Sequence, residues 1–159
     1  NARHLGQICP LVAKQLSHLK RMREYLDYSA QRVQHILPII NWQALSLEQH
    51  ESLAAFRVRF SEFQEHLGKT MRAVAIEEEI EVERFGSVLA FMEKLGLIET
   101  AERWKLIREL RNAVNHEYEE NPERLTQFFA ETLKATPELF EYFQRLLNFC
   151  ADAYRIKPE

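Results

Sequence analysis

The chain has 159 residues, 46% of them hydrophobic and 28% charged, with a formal net charge of −3. That length suits one domain, taken as residues 1–159 with loosely ordered tails at 1–9 and 156–159, and it is enough to bury a real core. The balance of charge excludes wholesale coating of nucleic acid but leaves room for a local site built from a few arginines. Only 4 Gly and 5 Pro are present, which favours long helices over turns. No run of about 18 apolar residues offers a membrane span, and no secretory leader is visible. Cys9 and Cys150 could pair if the chain ends meet, but two cysteines make no disulfide framework, and reduced thiols of a cytoplasmic protein are the simpler reading.

Taken in order, the first predicted element runs from about Pro10 to Ile36, where Val12, Leu16, Leu19, Leu26, Ala30 and Val33 recur at helical steps. Lys14, Lys20, Arg21 and Arg23 fall on or near its polar side, the pattern of a solvated face. Leu37 to Leu47 reads as a connection apolar enough to pack. Ser46 and Gln49 have the form of a capping box, and behind them Leu53, Phe56, Phe60, Phe63, Leu67, Met71 and Val74 predict a helix from Leu47 to about Glu79. Its aromatic stripe is core or subunit interface, and Gly68 within it leaves space for a neighbouring helix. A short helix is expected from Phe85 to Leu95, ended by Gly96. Thr100 is then placed to cap a helix over Ala101–Glu119. Asn121-Pro122-Glu123 and Thr136-Pro137-Glu138 each carry a capping side chain, a proline and an acid, so both are read as helix starts. No segment alternates with a period of two. The expected fold is an all-α, up-and-down bundle of five to six helices.

Candidate chemistry concentrates between Trp104 and Tyr118. At roughly 100° per residue, Leu106, Ile107, Leu110, Ala113 and Val114 share one arc, expected to be the buried one. Lys105, Glu109, Asn112 and His116 share another almost opposite, while Arg111, Asn115 and Tyr118 gather on a flank beside Trp104. A structural core histidine belongs on the apolar arc, and His116 lies away from it. Other chemistries lack their residues. There is no Glu-x-x-His pair for a di-iron bundle, although Glu62 and His66 are four apart. The carboxylates from Glu77 to Glu83 read as a solvated helix end or a loop. No Cys/His zinc spacing, glycine-rich phosphate loop or G-x-S-x-G elbow is found. No cofactor or metal is expected.

Arg111, Asn112, His116 and Tyr118 match the R-N-x-x-x-H-x-Y signature of HEPN-domain ribonuclease toxins, and the chain resembles in particular the HepT-like group. The resemblance spans about Leu47 to Leu147, including the Leu95-Gly96-Leu97 turn and the Glu120-Asn121-Pro122-Glu123 restart. It implies a HEPN-like bundle that is a metal-independent endoribonuclease, forming its cleft from both subunits of a homodimer, with RNA as substrate and a small nucleotidyltransferase antitoxin as partner. In that family the tyrosine matching Tyr118 receives AMP from the antitoxin. The residue types suit the task. Histidine moves protons near neutrality, and arginine grips phosphate oxygens with a planar fork. Arg111, His116 and Asn112 are therefore the expected catalytic residues, Glu109 a support that orients the His116 ring, and Tyr118 the modified residue. Arg111 and His116 differ by roughly 140° around one helix, so two helices related by a two-fold would bring one's arginine opposite the other's histidine. The alternative is a catalytically inactive helical module that binds a nucleotidyltransferase partner or a nucleotide in the same groove.

Overall fold

In the computed structural model, residues 9–116 and 121–155 are described, and they form five α-helices without a strand. These are α1 (Cys9–Gln34), α2 (Leu47–Glu77), α3 (Phe85–Lys94), α4 (Ala101–His116) and α5 (Pro122–Tyr154), with a 3₁₀ turn at Trp42–Ala44. The all-α bundle expected from periodicity is the fold observed.

Local chemistry sets most helix ends. Ser46 Oγ accepts from the Gln49 backbone N–H at 3.1 Å while Gln49 Oε1 accepts from the Ser46 N–H at 2.9 Å, closing the capping box that starts α2. Thr100 Oγ1 accepts from Arg103 N at the head of α4, and Asn121 Oδ1 accepts from the N–H groups of Glu123 and Arg124 at the head of α5. Gly96 follows α3 at φ 74°. Its N–H bonds Glu93 O, and the Leu97 N–H bonds Met92 O, a pairing that requires the left-handed conformation glycine adopts freely. The same pairing ends α2 at Glu77, short of the expected Glu79. Here Glu79 takes φ 62°, and Ile80 N–H reaches back to Ala75 O.

One expected boundary is absent. Thr136-Pro137-Glu138 does not begin a helix; α5 runs through it without interruption, with Pro137 inside. A mid-helix proline costs about 3 kcal/mol. Buried Leu125, Phe129, Thr132, Ala135, Thr136, Leu139, Phe140, Phe143 and Leu146 form one continuous face on both sides of it. Each large apolar side chain in that face contributes about 1.5–3 kcal/mol when buried, so the continuous helix wins. Thr136 Oγ1 donates to Thr132 O at 2.9 Å within the same stretch.

Pairs of contacts give the helix directions. Arg32 meets Glu48 and Arg59 lies over Tyr25, so α1 and α2 are antiparallel. Phe56 meets Phe129 and Phe63 meets Phe140 and Phe143, so α2 and α5 are parallel. Trp104 lies by Gly68 and Arg111 by Gln64, so α4 runs antiparallel to α2. Phe56, Phe60 and Phe63 are each 0% exposed in one copy of the chain. The aromatic stripe is therefore core and lends no support to a subunit interface.

Candidate functional site

The buried side of α4 is not the arc expected from counting apolar positions. Trp104 and Ile107 are 1% and 0% exposed, whereas Leu106 is 50% exposed, Ala113 is exposed and Leu110 is half-buried. Trp104 carries far more apolar area than Ala113 or Leu106, and α2 offers it a seat. A Cβ placed on Gly68 would stand 3.4 Å from the indole Cζ2. Seating the indole there turns the helix about its axis. Arg111, seven residues after Trp104 and so within about 20° of it, then faces α2 instead of solvent.

Arg111 is held on both sides. Its Nη1 donates at 2.8 Å to Oε1 of Gln64, a side chain only 2% exposed, and its Nε and Nη2 donate to Asn112 Oδ1 at 3.3 and 3.0 Å. A buried carboxamide oxygen between Phe60, Phe63 and Leu67 on α2 needs a donor, and the guanidinium supplies it. The arginine forms part of the wall of a cleft of about 220 Å³ between α2 and α4, lined also by Gly68, Lys69, Arg72, Phe85, Trp104 and Arg108. Among the described residues four cations thus face one carboxylate, Glu65, which bridges to Lys69 at 3.4 Å. Neither Arg72 nor Arg108 has an acid partner among the described residues. Trp104 Nε1, a buried donor in the same wall, has no acceptor among them. A basic cleft with an unpaired N–H and a pre-oriented guanidinium is suited to a phosphate oxygen.

Arg111 and Asn112 are thus brought into contact. Glu109 stands elsewhere, in a cleft of about 520 Å³ between α4 and α5 together with Arg103, Leu106, Leu110, Ala113, Glu131 and Lys134. One wall of that cleft is stiffened by the two-pronged Arg103–Glu138 bridge, at 2.8 and 2.6 Å. His116 is the last residue of α4, and its side chain lies outside what is described, so neither its contact with Asn112 nor any role of Glu109 in orienting it enters the geometry. Tyr118 also lies outside the described residues. Among the described residues no three His, Cys, Asp or Glu side chains cluster as metal ligands, and no helix is long and apolar enough to cross a membrane.

Gln64, Lys69, Arg72 and Arg108 belong to no motif. Two signals in the sequence nevertheless mark them: a glutamine set inside an aromatic stripe, and cations three apart on each of two helices, Lys69 with Arg72 and Arg108 with Arg111. The fold and cleft define a class, an all-α bundle with a cation-lined groove between two antiparallel helices. No protein-family model, curated protein or solved structure matches the chain.

Proposed function

We propose that the protein is a metal-independent endoribonuclease toxin, cytoplasmic and homodimeric, whose activity a small nucleotidyltransferase antitoxin silences by transferring AMP to Tyr118. The observation that carries this is Arg111, locked by buried Gln64 and by Asn112 in a cation-lined cleft, on the helix that carries His116. In the proposed reaction His116 removes the proton of a ribose 2′-hydroxyl, and the oxygen attacks the adjacent phosphorus. Arg111 holds the equatorial oxygens as negative charge builds on them. The P–O5′ bond breaks, the 5′-oxygen takes a proton from a second acid, and the products are a 2′,3′-cyclic phosphate and a 5′-hydroxyl. The second copy supplies the facing half of the cleft.

The second reading, a catalytically inactive module that binds a nucleotidyltransferase partner or a nucleotide, draws on one observation. Arg111 already commits three of its five N–H donors to protein acceptors. Expression in cells followed by RNA analysis separates the two. Growth arrest with 5′-hydroxyl fragments, retained in EDTA and lost in His116→Ala, is the expected result. Intact RNA with the wild-type chain, or full cleavage by His116→Ala, refutes the ribonuclease. Incubation with the partner, ATP and magnesium is expected to add AMP to wild type and not to Tyr118→Phe.

A further inference from the structure

On α1, Leu11, Lys14, Gln15, His18 and Arg21 recur at three- and four-residue steps and so share one face. Opposite them on antiparallel α2 stand His66, Lys69 and Thr70. Together these eight residues line a cleft of about 410 Å³. None of the eight is acidic, in a chain whose net charge is −3. The nearest carboxylates on α2 are engaged at the rim, Glu62 with Arg59 at 3.7 Å and Glu65 with Lys69 at 3.4 Å. Lys14, His18, Arg21 and Lys69 are exposed, and among the described residues none makes a hydrogen bond or cation–π contact that would hold it down, apart from the Lys69–Glu65 bridge. A solvated face would not collect its cations into a concavity. Of the four basic residues on this part of α1, Lys14 and Arg21 enter the cleft, while Arg23 turns away to lie 4.8 Å over the Phe140 ring.

Two details point to a nucleic acid instead of a small anion. His18 and His66 stack edge to face, with ring centroids 5.4 Å apart, and His18 is exposed, so an aromatic face stands among the cations as it does where bases stack on proteins. Lys69 also lines both this cleft and the one that holds Arg111. Lys69, bridged to Glu65, therefore links Arg108 and Arg72 in the cleft on one side of α2 to Arg21 and Lys14 in the cleft on the other.

We infer that the α1–α2 cleft binds the backbone of single-stranded RNA and feeds the strand across Lys69 towards Arg111. The inference rests on the ribonuclease reading for its choice of RNA, and its test is a binding measurement that needs no cleavage. In a His116→Ala background, binding of a fluorescent uridine-rich RNA oligonucleotide is followed by anisotropy from 50 to 200 mM salt. Lys14 and Arg21 are exposed, so the Lys14→Gln, Arg21→Gln pair leaves the core untouched, which a thermal melt verifies. Losing two phosphate contacts is expected to weaken binding roughly tenfold at the lowest salt and to flatten the slope of log K against log salt by about 1.4. A charge-matched control, Lys20→Gln with Lys94→Gln, removes two exposed cations that line none of the clefts described above and is expected to change affinity less than twofold. The inference is overturned if His116→Ala binds no RNA, if the cleft pair binds as tightly as its parent, or if the control weakens binding equally. Should RNA bind through Lys14 and Arg21 while the wild type cuts nothing, the cleft stands and the ribonuclease falls. Cleavage by wild type with KM unmoved in the cleft pair leaves the ribonuclease standing and overturns the cleft.

Discussion

Replacing Arg111 by alanine tests how much of this residue belongs to the fold and how much to the chemistry. Sequence periodicity puts Arg111 off the apolar arc and predicts a substitution that spares the fold, but the side chain in fact satisfies a glutamine that is 2% exposed. A hydrogen bond from a charged donor contributes about 1.5–3 kcal/mol, and an orphaned buried acceptor costs about 1–3 kcal/mol. Here the arginine leaves behind a widened cleft that admits water to Gln64 Oε1, so the lower end applies, about 1–2 kcal/mol. For a chain of this length that is a fall in Tm of about 2–8 °C. Urea denaturation followed by circular dichroism gives the value, and Gln64→Leu isolates its origin. Leucine keeps the volume and removes the acceptor, so Arg111→Ala in that background is expected to cost at least 1 kcal/mol less than it does alone. Distant sites add to within about 0.5 kcal/mol. A coupling inside that margin, or an Arg111→Ala variant as stable as wild type, refutes the proposed lock. Ribonuclease assays of Arg111→Ala therefore belong well below its melting temperature, where a loss of cleavage reports chemistry and not unfolding.

Two glycines are expected to respond with opposite sign. Gly96→Ala forces a Cβ into φ 74° and costs about 1 kcal/mol although nothing lies within 4 Å, whereas Gly68→Ala, mid-helix with Trp104 at 3.4 Å and Phe85 at 3.5 Å in ordinary contact, is neutral or gains up to about 1 kcal/mol; paired urea melts with equal signs would refute the reasoning. Burial pushes the Cys150 thiol up from 9.0 to about 12, so a Cys9→Ser variant is expected to give no reaction with a thiol reagent at pH 8 until denaturant is added, and prompt labelling of the native protein would contradict the burial. Because the folded state holds that proton more tightly, the thiol's contribution is intact below pH 9 and is lost as pH rises towards 12; alkaline melts of Cys150→Ala are expected to fall less steeply than those of its parent.

Which features can be read from residues alone follows from the range of the forces involved. The capping box at Ser46 and Gln49, the Asn121-Pro122 start and the Gly96 stop are built from groups within four residues, so their spelling in the sequence is their geometry. Thr136-Pro137-Glu138 has the same spelling and a different outcome, because the apolar face of α5 is buried against other helices and a local cost of about 3 kcal/mol does not break it. The buried arc of α4 departs from the periodicity for a related reason. Counting positions gives Ala113 the weight of Trp104, whereas burial scales with area, and the seat at Gly68 is supplied by another helix. Gln64 is out of reach of any motif, since its donor lies 47 residues away.

Lys69 and Arg72 show most directly why a surface charge is hard to interpret one helix at a time. On α2 alone they are two exposed cations three residues apart, indistinguishable from the solvated face that most such pairs form. Antiparallel α4 sets Arg108 and Arg111 against them on one side, and antiparallel α1 sets Lys14, His18 and Arg21 against Lys69 on the other. Cations brought together in a concavity repel one another, and a basic cleft loses that repulsion when a polyanion enters. Such a cluster is a standing cost to the folded chain, small for each exposed pair and larger where low-dielectric walls focus the field. A chain with 24 acidic residues has carboxylates enough to neutralise these cations, yet among the described residues Glu65 is the one acid that lines either cleft. The charge separation, more than any single residue, is what the proposed RNA track would use.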